Sequence, residues 1–119
     1  MMKATSNQHL VNQVSNGNIE IVASETGVGP TPHELIEAAL ATCKLMTLQL
    51  YAERKGYDIT GTEITVSILK EGLASELEAK IKFPDHLPTD VKKRMIEISD
   101  KCPINKLLSG EVRIETSEI

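Results

Sequence analysis

The chain has 119 residues, of which 40% are apolar and 25% charged, and its formal net charge is −4. This length and composition predict one globular domain over residues 1–119. The acidic balance and the lack of a dense Lys/Arg cluster argue against nucleic acid as a partner. Because no long apolar run occurs, neither a membrane span nor a signal peptide is expected, and we expect a cytoplasmic protein.

The N-terminal part has the pattern of a β-hairpin. Two short runs with β-branched residues, 7–14 and 18–23, flank Asn16-Gly17, a dipeptide typical of hairpin turns. The segment 23–32 is rich in Gly, Pro, Ser and Thr and is expected to form a loop.

A long helix is predicted over residues 32–55. Thr31 and Glu34 have the spacing of a capping box, Pro32 suits the first helical position, and Gly56 suits the residue after the helix. Apolar and small side chains go nearly all the way around this helix, interrupted mainly by charged or amide residues. We therefore expect it to be covered on more than one side, and a second subunit is one way to do so.

The rest of the chain alternates strands and helices. The predicted elements are strands over 59–70 and 75–83, a helix over 89–101 capped by Thr89, a helical turn over 104–109 and a strand over 111–116. The expected buried side of the second helix consists of Val91, Met95, Ile96 and Ile98. The order predicts an α+β fold in which a mainly antiparallel sheet packs on one long and one shorter helix.

Two cysteines are the candidate reactive groups. Cys43 lies in the middle of the long helix and Cys102 at the end of the second one, so any contact between them is tertiary. Spacing alone favours the reading of both cysteines as buried small hydrophobes. Lys44 is next to Cys43 in sequence but is expected to project from a different side of the helix, so a cation that activates the thiol would have to come from elsewhere.

Metal and cofactor chemistry is not expected. The sequence contains no CxxC and no HExxH pattern, and its three histidines are scattered along the chain. We therefore predict neither a metal site nor a bound cofactor.

Two segments carry a family resemblance. GPTPHELIEAALATCKLMTLQLYAERKG (29–56) and ISDKCPINKLLSGEVRIE (98–115) together resemble the OsmC/Ohr family of osmotically inducible and organic-hydroperoxide-resistance proteins. The order and spacing of the two motifs make the match specific, whereas either motif alone would be weak.

The resemblance implies an intertwined homodimer with the long helix in its middle and an active site at each subunit interface. It implies a thiol-dependent peroxidase acting on organic hydroperoxides or hydrogen peroxide. In that reading Cys43 attacks the peroxide and becomes a sulfenic acid, Cys102 resolves it as a disulfide, and a dithiol reductant restores the pair.

The resemblance also assigns a catalytic carboxylate, for which Glu34 is the candidate, with His33 as a possible lining residue. In the family the glutamate stands ten residues before the first cysteine, where this chain has His33. Glu34 lies about 13 Å along the helix from Cys43, too far for contact within one chain. Antiparallel helices crossing near Ala38 and Ala39 would bring Glu34 of one subunit beside Cys43 of the other.

The sequence departs from the family in one respect. Peroxidatic members carry an arginine in the N-terminal strand region, but no Lys or Arg occurs between Ala4 and Thr42 here. A histidine of that region, or an arginine from further along the chain, could take its place; the candidates are His9, His33, Arg54 and Arg113. The alternative function is that of a redox-responsive or small-ligand-binding protein without peroxidase activity.

Overall fold

A computed structural model describes all 119 residues and has an α+β fold, as predicted. Its elements are β1 Lys3–Gln8, β2 Val11–Ser15, β3 Glu20–Ser24, α1 Pro32–Lys55, β4 Glu63–Lys70, β5 Glu76–Lys82, α2 Thr89–Ser99 and α3 Pro103–Ser109. The chain divides into two compact units, Met1–Ala38 and Ala39–Ile119. None of the three helices has the length and apolar character needed to cross a membrane.

The first unit contains a three-stranded antiparallel sheet in the order β1-β2-β3. The predicted hairpin is present as β2 and β3, with Ser15 paired to Glu20, so its loop has four residues rather than two. Asn16 Oδ1 accepts the amide hydrogens of Asn18 and Ile19, each at 2.9 Å. This side-chain cap satisfies amides that a tighter turn would have placed in the strand ladder.

The strand predicted over 7–14 is wrong in its bounds. A turn at His9 and Leu10 divides that stretch, and β1 on one side of the turn pairs with β2 on the other. Leu10 adopts a φ of 55°, an uncommon conformation for a residue other than glycine, asparagine or aspartate. Nothing in the residue type indicated a turn there.

Helix α1 has the predicted bounds, and local interactions explain both ends. Thr31 and Glu34 form a reciprocal capping box, because Glu34 N donates to Thr31 Oγ1 at 3.1 Å and Thr31 N donates to Glu34 Oε1 at 3.0 Å. At the other end Gly56 has a φ of 75° and donates to the Glu53 carbonyl, while the next amide reaches back to Ala52. This is a Schellman motif, which glycine favours because the conformation is left-handed.

Only one stripe of α1 is buried within the single chain. Its members are spaced four residues apart: Leu40, Lys44, Leu48 and Ala52. Three large apolar side chains elsewhere on the helix are exposed, namely Ile36, Met46 and Leu50. The apolar pattern around α1 is therefore wider than the surface that one chain covers.

The second unit has an antiparallel pair, β4 and β5, together with α2, α3 and most of α1. Its main core consists of Leu48, Ala52, Leu87, Met95 and Ile98. Strand β4 begins four residues later than predicted, because Thr62 N bonds to the Ile59 carbonyl in a turn.

Two details predicted for the second helix are wrong. Thr89 is the first residue of α2 rather than its cap, since Pro88 occupies the N-cap position and no side chain caps the helix. Ile96, expected on the buried side, is half exposed, whereas Met95 and Ile98 are buried.

The strand predicted over 111–116 is absent. Residues beyond α3 adopt no regular structure and are exposed throughout. Val112 and Ile114 point into solvent, with 55% and 83% of their surfaces exposed. Alternation of apolar residues alone forms no strand, because a strand also needs a neighbour to hydrogen-bond with.

Candidate functional site

Both cysteines belong to one apolar cluster in the second unit. Buried residues of α1, β4 and the α2–α3 junction form its centre, and partly buried side chains surround them: Leu40, Val66 and Cys102, with Ala41, Cys43, Ile64, Leu77 and Ile104. Both thiols are free. Cys43 is half-buried and Cys102 fully buried, so the two sulfurs differ in their access to solvent.

Cys102 is held by the chain reversal between α2 and α3. It lies in extended conformation as the N-cap of α3, with Pro103 at the first helical position. The Asn105 backbone amide donates to Cys102 Sγ at 3.2 Å. A cysteine thus occupies a place where serine or aspartate is usual, because its sulfur can accept a bond from the free amides of the first turn.

Several causes act on the pKa of Cys102, and together they raise it. Burial is the largest, the Asn105 amide opposes it, and hydrogen bonding and charge interaction with Cys43 raise the pKa further. The positive charge of Lys44 acts in the opposite direction. Cys102 is therefore a protonated thiol at neutral pH, in direct interaction with Cys43.

Lys44 is a residue of the site that the sequence did not single out. It is 4% exposed and lies in the buried stripe of α1, where its Nζ donates to Asp100 Oδ1 at 3.0 Å and to the Ser99 carbonyl at 3.4 Å. Its charge acts on Cys102, the more distant cysteine in sequence. The four-residue spacing from Leu40 and Leu48 was the available signal that Lys44 faces inward.

The other predicted site residues are not part of this cluster. Glu34 and His33 are exposed residues of the first turn of α1, where Glu34 makes the capping box with Thr31. His9 is exposed as well. The cysteine cluster is built from Leu40 onward, so neither Glu34 nor His33 belongs to it.

None of the three arginines approaches the cysteine cluster. Arg54 is exposed at the end of α1, and Arg94 and Arg113 form exposed ion pairs with Glu97 and Glu115. Lys44 is consequently the cation that acts on the thiol of Cys102 within this unit.

A cavity of about 710 Å³ opens beside the ion pair of Lys44 and Asp100. Side chains from β5 and α3 complete its wall, among them Glu76, Glu78 and Asn105. No group of three or more His, Cys, Asp or Glu side chains is close enough together to hold a metal ion.

Comparison with known proteins identifies the family. The family model described as OsmC-like protein matches residues 24–117, most of the chain. The chain belongs to the OsmC-like family. The resemblance expected from the two sequence motifs is thereby confirmed, and both cysteines lie within the matched region. No curated protein matches the OsmC-like chain significantly.

Solved structures have the same OsmC-like fold. An OsmC like protein from Mycoplasma pneumoniae is 21% identical, with a TM-score of 0.74 over 92% of this chain and 86% of that chain. The organic hydroperoxide resistance protein OhrB of Bacillus subtilis is 16% identical, with a TM-score of 0.63 over 92% of this chain and 90% of that one. These likenesses confirm the fold predicted from the sequence.

Proposed function

We propose that this OsmC-like protein is a thiol-dependent peroxidase that reduces organic hydroperoxides or hydrogen peroxide. The observation that carries the proposal is the interaction of Cys43 with Cys102 in one apolar cluster. A peroxide can reach the half-buried sulfur of Cys43. The buried thiol of Cys102 is then in place to react with the sulfenic acid formed on Cys43.

The proposed cycle has three steps. The Cys43 thiolate attacks the outer peroxide oxygen, the O–O bond breaks, and the alkoxide takes a proton to leave as an alcohol. The Cys102 sulfur then attacks the sulfenic sulfur of Cys43, so that a disulfide forms and the oxygen leaves as water. A dithiol finally reduces the disulfide by two exchange steps and becomes oxidised itself.

Two further observations support a hydroperoxide as the substrate. Aliphatic side chains, such as Leu40, Val66 and Leu77, surround the thiols and suit an alkyl tail. A structural neighbour is described as an organic hydroperoxide resistance protein. The reductant would be a dithiol of a reducing compartment, and we place the protein in the cytoplasm for that reason.

The proposal includes a homodimer. The apolar side chains of Ile36, Met46 and Leu50 are exposed on α1, and those of Val112 and Ile114 on the C-terminal segment. A second copy of the chain would bury both sets, and its sheet would offer the segment 111–116 the strand partner that it lacks.

Glu34 has its proposed role within this dimer. Helices that cross near the small residues Ala38 and Ala39 would bring the partner subunit's Glu34 to Cys43, with His33 beside it. The carboxylate could then accept a hydrogen bond from the bound hydroperoxide. Within the single chain, the capping box engages one oxygen of Glu34, Oε1.

Turnover measurements test the peroxidase. Reduced protein is mixed with cumene hydroperoxide or hydrogen peroxide, and the consumption of dithiothreitol is followed. We expect turnover by the wild type and none above background by Cys43→Ser, because the attacking sulfur is gone. Wild-type turnover no faster than that of Cys43→Ser would refute the proposed function.

A second candidate function rests on the positions of the arginines. Because all three lie outside the cysteine cluster, the cation expected to polarise a peroxide is not an arginine of this unit. A redox-responsive or small-ligand-binding protein would not need it. Reversible oxidation of the cysteine pair without peroxide turnover would favour this candidate over the peroxidase.

A further inference from the structure

Lys44 links the two cysteine-bearing segments. It directly follows Cys43 on α1, and its ammonium bonds to the Ser99 carbonyl and the Asp100 carboxylate, three and two residues before Cys102. The contact spans 56 residues of sequence. The Lys44 side chain therefore connects the turn of α1 that carries Cys43 to the α2–α3 junction that carries Cys102.

This burial needs an explanation beyond packing. Moving an ammonium group out of water is costly, and its partner Asp100 remains largely exposed, so the pair is only partly shielded from solvent. An apolar side chain would fill the stripe between Leu40 and Leu48 without that cost. A charge kept at such a position is a candidate for a functional role.

We propose that Lys44 is a positioning residue for Cys102: bound to Ser99 and Asp100, its ammonium holds the α2–α3 junction beside Cys43 and supplies positive charge to the attacking sulfur. The inference rests on the resolving role of Cys102 in the proposed function. The family pattern places an arginine beside the first thiol, that of Cys43. The inference adds a cation, Lys44, for the second thiol, that of Cys102.

Several carboxylates surround the ammonium group of Lys44. Asp100 pairs with it from the end of α2, and Glu76 and Glu78 of β5 line the same cavity. Glu78 has an ion pair of its own, with Lys80 at 3.4 Å. Because the nearby carboxylates are acidic, removing Lys44 leaves Cys102 in a more negative environment, in which its thiolate is harder to form.

A disulfide-exchange experiment isolates the step without any peroxide. Ellman's reagent first forms a mixed disulfide with the accessible Cys43 and releases one thionitrobenzoate. The Cys102 thiolate then attacks the Cys43 sulfur, the Cys43–Cys102 bond forms, and the second thionitrobenzoate leaves with the electron pair of the broken bond. The absorbance of this second phase gives the rate of attack, and Cys102→Ser provides the baseline without it.

Lys44→Met tests both parts of the proposal. Lys44 is the smallest cause acting on the pKa of Cys102, so we expect Lys44→Met to raise the pH midpoint of the second phase and to slow that phase at neutral pH. A lower plateau at high pH would report the lost positioning. Lys44→Arg should restore the wild-type midpoint, and Asp100→Asn should lower the midpoint, because it removes a negative charge while keeping an amide oxygen for the ammonium.

Lys101→Met is the matched control. Lys101 directly precedes Cys102 but is exposed, so water screens its charge and no shift is expected. The proposal is overturned if Lys44→Met leaves both midpoint and plateau unchanged, or if Lys101→Met produces an equal shift. Since no peroxide is used, a failure here is distinct from a failure of the turnover assay. Asp100→Asn, at a largely exposed position, tests the charge effect even if Lys44→Met does not fold.

Discussion

The backbone amide of Asn105 lies 3.2 Å from the sulfur of Cys102 and donates a hydrogen bond to it. This bond favours the thiolate, while burial of the same sulfur disfavours it and prevails. The site thus stabilises the protonated form of Cys102 in the folded protein but leaves a donor in place for the moment at which the sulfur becomes negative.

Stability should fall at alkaline pH because of Cys102. Its folded pKa is raised above that of an unfolded thiol, about 8.5, so the stabilising contribution is complete below that pH and is lost as the pH rises toward the folded value. Urea unfolding of the reduced protein at about pH 7.5 and about pH 9.5 should show this loss.

Cys102→Ser is the control for that loss, because serine does not titrate in this range. The variant should lose less stability than the wild type between the two pH values. Equal losses for the two proteins would contradict the assignment of the raised pKa to Cys102.

Mass spectrometry should separate the roles of the two cysteines. After one equivalent of hydroperoxide, the wild type should carry an intramolecular disulfide. Cys102→Ser should retain a sulfenic acid on Cys43 that dimedone traps, because no thiol remains to condense with it. Trapping on Cys102 in a Cys43→Ser variant would reverse the assigned roles.

The capping box at the start of α1 gives a prediction on stability alone. Thr31→Ala removes the oxygen that accepts the Glu34 amide, and it should lower the free energy of unfolding by about 1 kcal/mol. Thr89→Ala is matched to it, since Thr89 begins a helix that no side chain caps. Its effect on urea unfolding should be clearly smaller, and an equal effect would mean that the cap of α1 contributes little.

Gly29 should tolerate no side chain. A Cβ atom at this position would lie 1.9 Å from the carbonyl oxygen of Val22, closer than any real contact, so the loop would have to move away from β3. Gly29→Ala should therefore lower the urea midpoint by more than Gly110→Ala, whose Cβ would meet its nearest atom at 3.3 Å. A wild-type midpoint for Gly29→Ala would show that the loop adapts freely.

The proposed dimer predicts a sensitive residue in the C-terminal segment. Ile114→Lys should shift the sedimentation of the protein toward the monomer, because a charge would enter the apolar interface. Glu115→Lys is its neighbour control and should sediment as the wild type does if alternate residues of 111–116 face inward. A wild-type protein that is monomeric at micromolar concentration would contradict the dimer itself.

Local signals in the sequence predicted the helices best. The bounds of α1 were confirmed because a capping box and a glycine in left-handed conformation act within a few residues of each end. The helical turn predicted after Cys102 is present as α3, since proline favours the first turn of a helix. The two cysteine motifs were also sufficient to indicate the family.

The remaining features depend on contacts that the sequence does not specify. Strand β1 was missed because all six of its residues are exposed and show no apolar alternation. The segment 111–116 has the alternation but no pairing partner in the chain. The role of Lys44 beside Cys102 was not predicted, because it depends on a contact with Asp100, 56 residues away.

The proposed disulfide between Cys43 and Cys102 would give the protein a way to record its own exposure to oxidants. A disulfide between them would close a loop of about 60 residues and restrict the unfolded chain, a constraint of about 4 kcal/mol in the chain-entropy treatment. Oxidised molecules would then resist unfolding and proteolysis longer than reduced ones. A protease would remove the reduced population first, so that the surviving fraction reports how many molecules had met an oxidant.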